Sequence, residues 1–250
     1  MIVLRTAREL EFIRKACIIS AEALQVAGEA VKPGVTTWEI DKIAYDYIKK
    51  QGAEPNFLNL YGFPATACIS INDEVIHGIP SKNCVLKDGD IVSIDLGAKV
   101  DGYNGDNAAT FAAGEIPANA KRLCDVTEKS LYLGIEQAIA GNRIGDIAWA
   151  IQSYCEENGY GVIREYTGHG VGAKLHEDPS VPNFGTPGRG VRLLPGMVIA
   201  IEPMITEGSR AIKQLSDGWT VKTKDGKLAA HFEHTIAITP NGPQILTKLG

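Results

Sequence analysis

Apolar residues recur three and four positions apart from Leu10 through Ile13 to Cys17, again from Ser20 to Val31, and a third time through Ile40, Ile43, Tyr47 and Ile48. This is the spacing of one helix face, so three helices are predicted before residue 52. Two have a marked start. Thr6-x-x-Glu9 and Thr36-x-x-Glu39 read as capping boxes, in which a hydroxyl and a carboxylate exchange hydrogen bonds with the first-turn backbone. Lys32-Pro33-Gly34 stops the second helix and Gly52 the third. The period then shortens to two. Strands are predicted near Ala67–Ile71 and over Ile91–Leu96, the latter introduced by a turn at Asp88-Gly89. A second turn signal at Asp101-Gly102 sends the chain back through Ala108–Phe111. Helical spacing resumes from Lys121 to Ala140 and from Ile144 to Asn158, broken by Gly141 and ended by Gly159.

The pattern after Phe111 repeats the one before it. A shift of 107 residues lays Gly34 on Gly141, Ile40 on Ile147, Tyr47 on Tyr154 and Gly52 on Gly159. It also lays LKDGDIVSID (86–95) on LLPGMVIAIE (193–202), and so Asp95 on Glu202. A further gap of about 20 residues matches Asp106 to Glu233. Two copies make an internal duplication, not a solenoid. No low-complexity stretch marks a linker, so the expectation is one domain over residues 1–250, built of two pseudo-equivalent halves, about 1–112 and 113–250.

Each copy places one acid in an apolar strand and another in the next. Asp is disfavoured in strands and is almost never fully buried unless paired. If the first hairpin loop runs from Lys99 to Gly102, Asp95 opposes Asp106. With a two-residue turn at Asp101-Gly102, Asp95 opposes Ala108, and Asp106 still points to the same face. A pseudo-twofold axis would bring all four acids to the seam. Four carboxylates there repel one another unless they share protons or cations, and a shared metal resolves the conflict.

Composition narrows the class. The hydrophobic content of 44% and charged content of 22% are ordinary for a globular protein, and a net charge of −5 argues against a nucleic-acid-wrapping surface. No apolar run is long enough for a bilayer, and MIVLRTARELEFIRKA becomes charged too early for a signal peptide. Cys17, Cys68, Cys84, Cys124 and Cys155 form no CxxC pair, which suits free thiols in a reducing cytoplasm.

The histidines sharpen the metal reading. His169 lies in TGHGVG, where flanking glycines permit close backbone approach to a ligand. His176 follows in LHEDP, and His77 lies on the approach to the first acid strand. His231 and His234 flank Glu233 and would share the opposite strand face, a structural or supporting place. Four carboxylates and one imidazole suit two divalent ions of the Mn²⁺, Fe²⁺, Co²⁺ or Zn²⁺ class. GxSxG, GxxxxGK[ST] and HExxH are all absent from the sequence.

Asp95, Asp106, His169 in TGHGVG, Glu202 in AIEPM and Glu233 in FEHT stand in the order of the type I methionine aminopeptidases. CISINDEVIHGIPS, GDIVSIDLGA, HEDPSVPNFG, LLPGMVIAIEP and FEHTIAIT resemble that family's motifs along essentially the whole chain. The resemblance implies the α/β pita-bread fold, a curved antiparallel sheet with helices on one face. It implies two divalent metal ions held by Asp95, Asp106, His169, Glu202 and Glu233, with Asp106 and Glu233 bridging them. The implied reaction is removal of the initiator methionine from nascent chains and peptides whose second residue is small. A bridging hydroxide attacks the scissile carbonyl, and Glu202 shuttles a proton. His176 steadies the tetrahedral intermediate, and His77 contacts the substrate. The implied methionine pocket is Phe57, Leu60, Phe63, Cys68, Leu175 and Trp219, although Leu60 and Leu175 stand where aromatic residues are expected. A monomeric cytoplasmic enzyme follows, with the ribosome as a candidate partner and no membrane or nucleic acid. The rivals are a proline-specific peptidase of the same fold, a non-enzymatic peptide-binding relative, and a metal-storage protein.

Overall fold

The computed structural model describes residues 1–249. Its helices start where their caps predict. In both α1 (Ala7–Glu29) and α2 (Thr37–Lys50) the N-cap threonine accepts from the backbone N–H of the glutamate three residues on. That glutamate reaches back to the cap. Helix α1 is continuous where two helices were expected. Ser20, the polar residue at the expected junction, donates its hydroxyl to the Leu96 carbonyl at 3.0 Å and also meets Asn107. A satisfied serine, with no glycine or proline beside it, gives the helix no reason to break.

Strands β1 (Glu54–Pro55), β2 (Ala67–Ile71), β3 (Glu74–Ile76), β4 (Asp90–Val100) and β5 (Tyr103–Ala113) follow. The β4–β5 turn has two residues: Val100 pairs with Tyr103, and Asp101 and Gly102 both take positive φ, at 52° and 85°. Helix α3 (Ala118–Glu136) begins after Pro117, three residues earlier than expected, because proline suits the entry to a helix. It ends four residues before Ala140, where Asn142 Nδ2 donates to the Gln137 carbonyl. Helix α4 (Ile144–Glu157) leads to β6 (Gly161–Val162), β7 (Gly168–Gly170), β8 (Glu177–Val181), β9 (Val198–Ile201) and β10 (Met204–Thr206). The chain closes with β11 (Ile212–Gln214), β12 (Val221–Thr223), β13 (Ala229–His231), β14 (Glu233–Thr239) and β15 (Gly242–Ile245).

One antiparallel sheet runs β1-β4-β5-β14-β9-β7-β8, with β2 added to β4 and β15 to β14. Two smaller three-stranded sheets, β13-β10-β6 and β11-β12-β3, complete a curled half-barrel with four helices. Val92, Ile94, Leu96 and Ala98 of β4 bury against α1 and α2, which leaves Asp95 on the alternate face. Helices α3 and α4 share a second core with β9 and β14, to which they contribute Leu123, Leu131, Ile147 and Ile151. Gly105 permits the close seat of α1: a Cβ there would lie 2.4 Å from the Cys17 backbone nitrogen.

The 107-residue shift holds in the backbone. Helix α2 maps onto α4 end to end, and the isolated bridge Thr36–Val85 maps onto Arg143–Arg192. Gly34 N–H donates to the Leu86 carbonyl, and Gly141 N–H donates to that of Leu193. Both glycines need their left-handed φ, at 91° and 102°. The match between the second strands needs correction. Ile94 pairs with Ala109 and Ile201 with His234, a shift of 125 for this strand. By register Glu233 therefore corresponds to Ala108, and Asp106 stands two residues earlier in its strand.

Candidate metal centre and substrate cavity

That register puts the acids in a row. Asp95 on β4 pairs with Ala108 on β5, and Ala108 pairs with Glu233 on β14. Glu202 follows directly after Ile201, the residue that pairs with His234. Asp106 lies two residues from Ala108 and so on the same face as Asp95. On β7, Gly170 pairs with Ile199, which brings His169 alongside β9. The glycines flanking His169 serve this strand packing. A Cβ on Gly168 would meet the Ala200 carbonyl at 2.3 Å, and one on Gly170 the Asp178 carbonyl at 2.2 Å.

His169 Nε2 stands 3.5 Å from Asp106 Oδ2 and 3.6 Å from Glu202 Oε1. Asp106, His169 and Glu233 each present a donor atom within 4.8 Å of the others. Asp95 Oδ1, Asp106 Oδ1 and Glu233 Oε1 are buried, with no hydrogen-bond partner among the described residues. Buried carboxylate oxygens left bare are costly unless something positive meets them. Burial, then the neighbouring acids, pushes Asp95 and Glu233 well above the usual carboxylate range. Burial raises Glu202 to about 8, against the pull of His169. Burial alone would lower His169, but Asp106 and Glu202 outweigh it and hold the imidazole at about 9. Its Nδ1 lies 3.0 Å from the Gly170 carbonyl. With Nδ1–H directed there, Nε2 is the nitrogen that would give up its proton to bind a metal. The donor set fits a divalent cation of the carboxylate-and-imidazole class.

All thirteen sequence-predicted site residues line one cavity of about 420 Å³. The acids and His169 form one end. The other is apolar, where Phe57, Phe63, Cys68 and Leu175 bury together with Leu60 and Trp219 packed on them. Phe63 and Trp219 meet edge to face at 5.1 Å. His176 and His77 stand between these ends. The His176 ring lies 4.4 Å from that of His169, and Tyr61 stacks on it at 5.9 Å. His77 packs against Tyr166 and Trp219. It adopts φ 59°, an uncommon backbone state for a residue with a side chain. Burial lowers His77 to about 4, with His176 adding to the effect, and burial and His169 lower His176.

The segment carrying His176 is tied from outside. Arg5 forms a partly buried ion pair with Glu177, the Met1 ammonium meets Asp178, and Arg5 N–H donates to the Gly196 carbonyl at 2.7 Å.

A model of metallopeptidase family M24 matches residues 11–240. The chain belongs to metallopeptidase family M24. The methionine aminopeptidase of Clostridium perfringens is 54% identical to this M24 chain over 249 residues, covering 100% of both. The crystal structure of methionine aminopeptidase from Thermotoga maritima superimposes with a TM-score of 0.98 at 45% identity, again covering 100% of both chains. The prolidase from Pyrococcus horikoshii reaches 0.79 at 27% identity, covering 99% of this chain and 64% of its own. The fold is the pita-bread fold of these M24 proteins. No helix among the described residues is long and apolar enough to cross a membrane.

Sequence reasoning missed four lining residues, Tyr61, Ile76, Tyr166 and Thr167. The supporting place it gave His231 was argued from strand alternation, a reason that does not hold here. The strand breaks at Phe232, between β13 and β14, so alternation does not carry through to Glu233. His231 Nε2 instead stands 3.8 Å from Glu202 Oε2. His234 keeps the expected supporting place, with Nδ1 2.8 Å from Thr247 Oγ1 and Nε2 3.3 Å from the Tyr132 hydroxyl.

Proposed function

We propose that this M24 chain is a methionyl aminopeptidase that hydrolyses the bond after an N-terminal methionine when the second residue is small. The observation that carries the reading is the two-ended cavity, with bare buried carboxylates beside an apolar pocket of thioether size. Full-length matches to proteins named methionine aminopeptidase favour it over the proline-specific reading, whose representative matches at 27% identity.

Asp95, Asp106, His169, Glu202 and Glu233 would hold two divalent ions of the Co, Mn, Fe or Zn class. Bound there, divalent ions polarise a carbonyl and acidify a water at neutral pH. The chain's own residues do the rest. Phe57, Leu60, Phe63, Cys68, Leu175 and Trp219 take up the methionine side chain and set the scissile carbonyl against the acid end. Methionine's flexible thioether suits a pocket walled by Phe63 and Trp219. His176 donates to the charge that develops on the carbonyl oxygen, an interaction stronger in the transition state than in the ground state. His77, kept neutral by its surroundings, contacts the substrate. Glu202, raised toward neutrality, carries a proton to the departing amine.

Nascent chains at the ribosome are the proposed physiological substrate, met in the cytoplasm by a monomer. Five free cysteines fit that compartment.

The test is release from Met-Ala-Ser and Ala-Pro-Ser by chelator-treated protein with Mn²⁺ or Co²⁺ restored. Metal-dependent release of methionine alone, abolished in Glu202→Ala, is expected. Release of alanine from Ala-Pro-Ser would move the assignment to the proline-specific rival.

A further inference from the structure

We infer that His231 is a positioning residue that holds the Glu202 carboxylate through its Nε2–H. The inference rests on the metal-centre reading and adds to it a residue outside the cavity lining.

His231 is 1% exposed, and its Nε2 is buried without a hydrogen-bond partner among the described residues. An imidazole nitrogen left bare in an interior calls for an explanation. Glu202 Oε2 stands 3.8 Å away, longer than a hydrogen bond but within reach of one carboxylate rotation. The Glu202 backbone is already fixed. Asn183, fully buried, donates from Nδ2 to the Glu202 carbonyl at 2.9 Å. Only the side-chain torsions remain to be set.

Two imidazoles face the two oxygens, His169 toward Oε1 at 3.6 Å and His231 toward Oε2. They are not equivalent. With Nδ1–H directed at the Gly170 carbonyl and Nε2 the nitrogen that would bind a metal, His169 in the loaded site would have no proton to give Glu202. Donation to Glu202 then falls to His231. One oxygen held by a neutral donor leaves the other aimed at the acid end, as outer hydrogen bonds orient metal ligands elsewhere. The break at Phe232 makes this possible. Phe232 N–H donates to the Pro203 carbonyl, which brings the residues around Glu202 and His231 together across β10 and β13.

The test compares His231→Leu, which removes the donor, with His231→Gln, whose amide keeps one near the same place. Leu should lower kcat on Met-Ala-Ser by about 10–100-fold, with KM within about twofold. It should weaken Mn²⁺ binding to the metal-free protein about tenfold by calorimetry. Gln should recover both to within about threefold of wild type. Histidine ¹⁵N spectra of the metal-free wild type should show His231 protonated at Nε2, with that resonance displaced in Glu202→Gln. Equal behaviour of the Leu and Gln variants would overturn the inference, as would a proton on Nδ1 alone. If Leu fails to fold, the Gln variant and the spectrum still decide. Wild-type protein that binds Mn²⁺ but releases no methionine would sink the aminopeptidase reading, while the affinity and tautomer measurements still test His231.

Discussion

The two copies of the repeated unit supply their acids in different ways. Asp95 and Asp106 lie within long, continuous strands joined by a two-residue turn. Glu202 and Glu233 lie at corners. Each sits where the chain passes between the large sheet and the small one, Glu202 just after β9 and before β10, Glu233 at the first position of β14, two residues beyond the end of β13. A side chain in mid-strand has its direction set by backbone pairing on both sides. One at a corner is set by whatever packs around it. The first copy is therefore suited to fixed ligation, the second to a carboxylate that also moves a proton.

The sharpest way to break this comparison is at the acids themselves. Asp106→Asn should lose both Mn²⁺ binding and turnover by more than about 100-fold, beyond the effect of an outer hydrogen bond. Glu202→Gln should lose turnover as severely but retain more affinity. Equal losses of affinity in the two variants would erase the distinction between fixed and mobile acids.

Metal removal comes next in size. Saturation at about 100 Kd adds roughly 2.7 kcal/mol. In a chain of this length that corresponds to a melting shift of about 5–10 °C, readable by calorimetry with and without chelator. Asp106→Asn should abolish the shift.

A smaller effect separates His77 from the acids. Its imidazole is held at about 4 in the folded chain against an ordinary 6.5, so between these values the unfolded chain binds more protons. The penalty is absent above pH 6.5 and grows as pH falls toward 4. The acids with raised values act in the opposite sense, so the measurement is a difference between two proteins. His77→Asn, which tolerates the positive φ, should gain on the order of 2 kcal/mol relative to wild type across that window in urea titrations of metal-free protein. Parallel curves would remove His77 from the balance.

The smallest prediction concerns the hairpin. Gly102→Ala should cost about 1 kcal/mol, because an alanine Cβ opposes φ +85° although nothing crowds it. Since Asp95 and Asp106 depend on this turn, Mn²⁺ affinity should fall slightly, whereas Gly159→Ala, also at φ 85° and far in sequence from all four acids, should leave it unchanged.

Much of this was legible in the sequence, for identifiable reasons. Capping boxes and left-handed glycines act over a few residues, so Thr6, Thr36, Gly34 and Gly141 announce themselves. An aspartate inside IVSIDLGA conflicts with its surroundings, and the conflict marked Asp95 correctly. What escaped depends on long-range packing. Ser20 looked like a junction because its partners, Leu96 and Asn107, lie far along the chain. The glycines around His169 are crowded by neighbouring carbonyls at Ala200 and Asp178, contacts the sequence does not show. His231 was assigned by strand alternation across a break that alternation cannot reveal.

The partly buried pair of Arg5 and Glu177 has a practical corollary. Glu177 adjoins His176, so the first residues of the chain act as a guy-rope on a side chain assigned to transition-state binding. An affinity handle fused ahead of Met1 would convert its amine to an uncharged amide, remove the contact with Asp178 and put that rope under load. A handle at the other end leaves it alone, and kinetic constants compared between the two preparations would report how taut it is.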